Sequence, residues 1–356
     1  KKWDARLPQR IIDFNQDIFA AIKQKDLLVH HPFEEFDVVI KLLEQAAIDP
    51  DVLAIRQTLY RTTSGSPIAQ ALKKAAENGK AVTAVIELKA RFDEANNIKL
   101  ARELEKAGAQ VTYGLGQLKV HSKLSLIMRE EDKKIVSYVH CGTGNYHPTN
   151  SKTYTDFSFF TCEKSICEDV RLIFNFLTSY VQPDNLVHSK ISPNSSYQWF
   201  LDCLDNEIAN AKAGKPAFFF GKANALQEKT IIEKLYDASN AGVEITLFIR
   251  GICGLRPGVI GMSENIKVLS IIGRYLEHGR FYVFGNGDAM GSKQNQLFLS
   301  SADLMHRNLF NRVEIFLPIL NTTLRKQFFE QIIPALISDN INRWELKDDG
   351  RYLADV

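Results

Sequence analysis

His121-Ser122-Lys123-Leu124-Ser125-Leu126-Ile127-Met128 opens with an imidazole and an ammonium two residues apart and runs straight into an apolar strand pattern. Residues two apart on a strand project to the same face, so the His and the Lys stand together. A Gly-containing turn, Gly114-Leu115-Gly116, comes just before. The same form returns at His278-Gly279-Arg280, entering Phe281-Tyr282-Val283-Phe284. An imidazole beside a fixed cation suits chemistry at phosphorus. The cation neutralises phosphoryl oxygens, and a neutral imidazole can become a phosphoramidate. Arg in the second copy offers phosphate a two-pronged fork where Lys offers a point charge. A lone His-x-Lys is usually surface decoration. Here each is followed by a polar residue after a small-residue turn, at 24 residues from His121 to Asn145 and 25 from His278 to Asp303.

The segments on either side repeat in the same way. An apolar period of helical type covers 33–47 and is broken at Asp49-Pro50. A buried strand over 52–60 follows, then a helix over 67–78 with Pro67 in its first turn and Asn78-Gly79 at its end. Strands are predicted over 81–88, 110–113, 123–128 and 136–141, with helices over 97–107 and 166–179. Residues 181–196 hold Pro183, Asp184, Asn185, Pro193 and Asn194 and read as a domain boundary. Beyond it the order starts again, with a helix over 199–211, a strand over 217–220, a helix over 228–240 and a strand over 243–249. Further strands fall over 266–269, 281–284 and 296–299, and the last 40 residues read as helical. Arg61 precedes Gly79 by 18 residues, and Lys222 precedes Gly242 by 20. This marks two diverged copies of one α/β unit, 1–185 with a linker segment 1–32, and 186–356.

Composition agrees. A chain of 356 residues at about 150 per domain is two domains. Hydrophobic residues at 45% and charged residues at 24% build ordinary globular cores. Lys plus Arg is 44 against 42 for Asp plus Glu, a net +2, which speaks against a general nucleic-acid or membrane-surface binder. No apolar run reaches the roughly 18 residues of a membrane span, and no apolar core follows Lys1-Lys2-Trp3-Asp4 as in a secretory signal. Five cysteines without a CxxC pair give neither a disulfide framework nor a cysteine zinc site, so a cytoplasmic setting is expected.

Charge gathers at predicted strand ends. Leu59-Tyr60-Arg61-Thr62, Glu87-Leu88-Lys89-Ala90-Arg91-Phe92-Asp93-Glu94 and Phe248-Ile249-Arg250-Gly251 each end a strand, with Arg256 close behind. Ligands of α/β folds sit off the carboxyl ends of strands. These cations call for a polyanion, with pairing to Asp93 and Glu94 as the purely structural alternative. No GxxxxGK[ST] occurs, which disfavours a Walker-type kinase.

The paired His-x-cation units resemble the phospholipase D superfamily. Longer phrases narrow this: Ala54 to Arg61, Glu87 to Glu94, Leu118 to Leu124, Gly142 to Tyr146, Tyr154-Thr155-Asp156, Arg250 to Gly258, Ser300 to Asp303 and Arg307-Asn308-Leu309. They resemble the polyphosphate kinase family of the long bacterial type, across nearly the whole chain but only the C-terminal half of that family's sequence. The chain is therefore expected to be a fragment. The resemblance implies two tandem phospholipase D-like α/β domains related by internal duplication. It also implies reversible transfer of the ATP terminal phosphate to inorganic polyphosphate through a phosphohistidine. His121 then corresponds to the nucleophile and His278 to the second catalytic histidine, near the nucleotide. Lys123 and Arg280 are the paired cations, and Tyr154 and Arg250 match nucleotide-contacting positions. Arg61 and Arg91 match a magnesium–phosphate site. An arginine cannot ligate a cation, so they read as phosphate clamps beside Mg2+. ATP or ADP and polyphosphate are the expected partners, nucleic acid is not, and the resemblance leaves room for a homo-oligomer and for peripheral membrane association of the full enzyme.

The sequence departs from that family at Leu304, where Trp is usual, and at Gly279, where a larger polar residue is common. His140 reads as a core histidine and Cys141 as unreactive for want of a base. The run 129–134 reads as a solvated hairpin. Two other readings use the same residues: a phosphodiesterase, which needs fewer cations, and a polyanion-binding module without catalysis.

Overall fold

Two units divide the chain, Lys1–Ser189 and Lys190–Val356. The computed structural model describes residues 4–60, 65–87 and 94–354. In the first unit the strand Val52–Leu59 runs parallel to Ala81–Ile86, and Ala81–Ile86 parallel to Gln110–Thr112. The crossover helix Pro67–Glu77 starts with Pro67, whose missing N–H is no loss in a first turn. It ends before Gly79, whose φ of +79° suits the left-handed turn there. Helix Asp37–Ile48 buries Val38, Val39, Leu42, Leu43, Ala46 and Ala47 as one apolar stripe. On the other side of Val52–Leu59 the pairing turns antiparallel, through Lys123–Glu131, Lys134–Gly142, Tyr154–Thr161 and Leu27–His31.

The second unit has the same plan. Phe218–Ala223, Glu244–Ile249 and Ile266–Ile271 are parallel neighbours. Phe218–Ala223 then pairs antiparallel with Arg280–Phe284, followed by Gln296–Ser300, Ile315–Pro318 and Lys190–Ile191. Order and direction match the first unit strand for strand, so the duplication is visible in topology. The copies differ at one edge. The second adds Arg343–Leu346 and Tyr352–Ala354, and it crosses residues 250–265 without the helix that Glu94–Lys106 supplies in the first. Its core is aromatic, with Phe200 set edge-on to Phe219, Tyr282 and Phe284. Among the described residues no helix is long and apolar enough to cross a membrane.

Three expectations are corrected. The segment 1–32 is no linker: from residue 4 it packs into the first unit, with Ile11, Ile18, Ile22 and Val29 buried and Leu27–His31 completing the sheet edge. The last 40 residues are not all helical, because Arg343–Leu346 and Tyr352–Ala354 are strands. The helix over 322–338 widens to a π-turn at Phe328–Ile332, just before Pro334, which has no N–H to give. Finally, Lys222 lies inside its strand rather than after it, so it is not the counterpart of Arg61.

The boundary stretch is held by one carboxylate. Asp169, fully buried on helix Lys164–Ser179, accepts the backbone N–H groups of Val187, His188 and Ser189 at 2.8, 2.8 and 2.7 Å. Asp169→Ala orphans all three donors and should lower the stability of this unit by about 3 kcal/mol. Urea unfolding checks this, and an unshifted midpoint would refute it.

Candidate active site

His121 sits in the break between strands Lys119–Val120 and Lys123–Glu131. Its ring is buried edge-on to Tyr60, with centroids 5.2 Å apart. The ladder to Lys134–Gly142 begins at the pair Lys123–Gly142, so the His121 carbonyl falls just short of it. A carbonyl so placed needs a donor. Lys123 supplies one, turning Nζ back onto the His121 oxygen. Thr58 Oγ1 donates to the Ser122 carbonyl at 2.9 Å and accepts the Leu124 N–H at 2.9 Å. Glu87 Oε2 accepts the Val120 N–H at 2.8 Å. Neighbouring groups thus pin the backbone along 120–124.

Behind this entry lies a buried polar layer. Asp156 accepts a hydrogen bond from Thr143 Oγ1 at 2.7 Å, and Thr143 accepts the Phe157 N–H at 2.9 Å. Gly144 packs on that carboxylate so closely that a Cβ would overlap it. Ser125 Oγ donates to Gln57, and Tyr146 OH lies 3.1 Å from Ser125 Oγ and 2.8 Å from His140 Nδ1. Burial pushes His140 down to about 3 and the Cys141 thiol up to about 12, so His140 stays neutral and Cys141 protonated.

The second unit builds the same entry with charges. Arg280 opens its strand, 4% exposed, and donates from Nη1 to the His278 carbonyl at 3.2 Å. Asn224 Nδ2 donates to that carbonyl at 3.2 Å. Lys222 Nζ donates to the Gly279 carbonyl at 2.9 Å and pairs with Glu277 at 2.9 Å. Arg280 Nε and Nη2 grip Asp303 at 3.0 and 3.3 Å, and Asp303 also accepts the Asn224 N–H at 2.8 Å. Burial alone would raise the Asp303 carboxyl. The Arg280 charge, with hydrogen bonds from Arg280 and Asn224, outweighs it and holds the carboxyl well below the usual range. Arg250, just past Glu244–Ile249, donates from Nε to Asn224 at 2.9 Å. The bidentate fork expected on phosphate is therefore committed to Asp303.

Register makes the two copies comparable position by position. Gln57 faces Ser125 and Gly221 faces Tyr282, each two residues past its cation. Thr58 therefore corresponds to Lys222, and Tyr60 to Asn224. Glu87 corresponds to Arg250, since each donates its N–H to the strand before it, to Leu59 and to Ala223. Tyr154 begins the strand Tyr154–Thr161, on the same face as Asp156. Arg61, Lys89 and Arg91 lie outside the described residues. Leu304 is buried in the second core, its carbonyl capped by the Gln227 and Glu228 N–H groups. Among the described residues no group of three or more His, Cys, Asp or Glu side chains is arranged to hold a metal. Tyr60, Asn224 and the buried carboxylates Glu87 and Asp156 carry roles that residue type and spacing did not assign.

A duplicated α/β protein with a His-x-cation entry in each copy is what this fold and these residues define. Residues 17–183 match the family model "Polyphosphate kinase C-terminal domain 1", and residues 190–355 match "Polyphosphate kinase C-terminal domain 2". The chain belongs to the polyphosphate kinase family. It is 49% identical over 350 residues to a polyphosphate kinase of Erythrobacter litoralis, covering 98% of this chain and 49% of that protein. It is 47% identical over 338 residues to polyphosphate kinase 1 of Chlorobaculum tepidum, covering 95% and 48%. The crystal structure of polyphosphate kinase from Porphyromonas gingivalis matches all of this chain and 53% of its own, with a TM-score of 0.91 at 34% identity. The chain thus spans about half the length of these relatives. A phosphatidylserine synthase of Haemophilus influenzae shares the fold alone, with a TM-score of 0.58 at 9% identity.

Two outcomes test this architecture. Gly144→Ala should destabilise by about 1–3 kcal/mol through overlap with Asp156. Adding Asp156→Ala should then cost less than the sum of the two single changes, as thermal unfolding of the double-mutant cycle can show. His140 supplies a pH dependence. The folded state keeps it neutral down to about 3, while the unfolded chain binds a proton below the ordinary 6.5. Its contribution is present above 6.5 and is lost as pH falls from there toward 3. His31, also pushed down by burial, adds to this limb. Urea midpoints at several pH values should fall on that limb, and His140→Gln should flatten it. An equally steep limb in the variant would refute the assignment.

Proposed function

We propose that the chain is the phosphoryl-transfer core of a polyphosphate kinase, moving the terminal phosphate of ATP reversibly to polyphosphate through a phosphohistidine at His121. The observation that carries this reading is the pair of register-matched His-x-cation entries in a chain of this family. His121 attacks the γ-phosphorus in line. The N–P bond forms, the β–γ bridging P–O bond breaks, and ADP leaves with the electron pair. The terminal oxygen of polyphosphate then attacks the phosphorus, and the imidazole leaves unchanged. A neutral imidazole nitrogen is required of the nucleophile. Lys123 lends charge at the nucleophile. His278 carries the proton transfer, with Arg280 and Asn224 fixing its backbone. Arg250 and Tyr154 take the nucleotide, and Arg61 and Arg91 clamp phosphate. Magnesium would accompany the nucleotide phosphates and neutralise part of their charge.

The test uses the full-length protein with γ-labelled ATP and magnesium. Acid-labile, base-stable label should appear on the wild type, vanish in His121→Ala and persist in His188→Ala. A wild type that stays unlabelled while it hydrolyses a phosphodiester would replace this reading with the phosphodiesterase.

A further inference from the structure

One aromatic ring in the first unit is shared by three functional side chains. Lys119, His121 and Lys123 stand two residues apart, so an extended backbone turns them to one face. Each of them meets Tyr60. The His121 ring lies edge-on at 5.2 Å, Lys119 Nζ is 5.4 Å from the Tyr60 centroid, and Lys123 Nζ is 5.7 Å from it. The electron-rich face of a phenol ring attracts ammonium groups at such distances, so the contacts order both lysines beside the imidazole.

The two cations are not equivalent. Lys123 is 2% exposed and its Nζ is turned onto the His121 carbonyl. Lys119 is half-buried and lies on the short strand Lys119–Val120 ahead of His121. In the second copy the corresponding short strand is Leu276–Glu277, so Leu276 takes the Lys119 position and Asn224 takes that of Tyr60. The row of cation, imidazole and cation on an aromatic ring is thus special to the copy that carries His121. An ammonium on the same face as the imidazole, with water on one side, can meet a phosphate oxygen. The buried one has its Nζ on the backbone.

We propose that Lys119 is a further phosphate-binding residue, contacting the polyphosphate or nucleotide phosphate presented to His121, and that Tyr60 is the positioning residue that holds it there. The proposal rests on the phosphoryl-transfer reading for the identity of the ligand, and its test separates the two. Sodium polyphosphate of defined length is titrated into the full-length enzyme at low and moderate salt. Lys119→Ala should weaken binding about tenfold, the value of one charge-assisted contact, and reduce its salt dependence. Lys119→Arg should restore most of the affinity. Tyr60→Leu should weaken binding by a similar factor, and Tyr60→Phe, which keeps the ring, should restore it. The Lys119→Ala and Tyr60→Leu losses should not add, because they remove one device. Thermal unfolding of each variant separates lost binding from lost fold. Affinity in folded Lys119→Ala within twofold of wild type, with the same salt slope, overturns the proposal even if the enzyme transfers phosphate. Polyphosphate binding that depends on Lys119 in an enzyme that forms no phosphohistidine overturns the transfer reading and leaves the site standing.

Discussion

A backbone carbonyl governs both halves of this chain. To bring an imidazole to the mouth of a buried central strand, the chain must start its ladder just after the histidine. The histidine's own C=O then falls just outside the ladder. An unmet buried carbonyl costs about 1–3 kcal/mol, so a donor must be built in. In both units that donor is the cation two residues on: Lys123 for His121 and Arg280 for His278. The spacing that sets the His and the cation on one face thus also lets the cation reach back to the carbonyl. Most of the remaining polar structure serves this arrangement. Thr58 and Lys222 hold the intervening carbonyl, and Asp303 compensates the buried guanidinium.

Given one shared plan, the differences between the copies are informative. At the strand position facing the entry, the first copy has Thr58 and the second Lys222. One residue past the strand end, the first has Tyr60 and the second Asn224. Past the next strand, the first has Glu87 and the second Arg250. The first entry is braced by the Thr58 hydroxyl, the Glu87 carboxylate on a backbone N–H and the Lys123 ammonium, with the histidine against an aromatic ring. The second is braced by ion pairs and amide bonds.

The elements were legible where periodicity was strong. The strand predicted over 52–60 is Val52–Leu59, and the helix predicted over 67–78 is Pro67–Glu77. Tyr154–Thr161 escaped because almost every residue in it is buried, so it shows no alternation to read. Leu27–His31 escaped because it is an edge strand of five residues whose partner lies more than a hundred residues on. The histidines and cations could be named from residue type and spacing. Tyr60, Glu87 and Asn224 could not, because their roles depend on which side chain faces which carbonyl. Matching Arg61 to Lys222 by counting from a glycine failed for that reason: counting along a chain tolerates a shift of three residues, and a β-ladder tolerates none.

Charge also takes on a different meaning. A net charge of +2 with cations gathered near the histidines invites the view that all of them await a polyanion. In the second unit two of these cations already have carboxylates, Lys222 with Glu277 and Arg280 with Asp303. Buried pairs of this kind add little net stability compared with apolar packing, but losing one partner is costly, so they fix geometry rather than bind ligand. Lys119 and Arg250, both half-buried, keep contact with water. A buried cation is too desolvated and too committed to meet a mobile substrate, and an exposed one is too loosely held to aim an imidazole. Separating the two tasks would let the same residue type, four positions apart on either side of His121, do both.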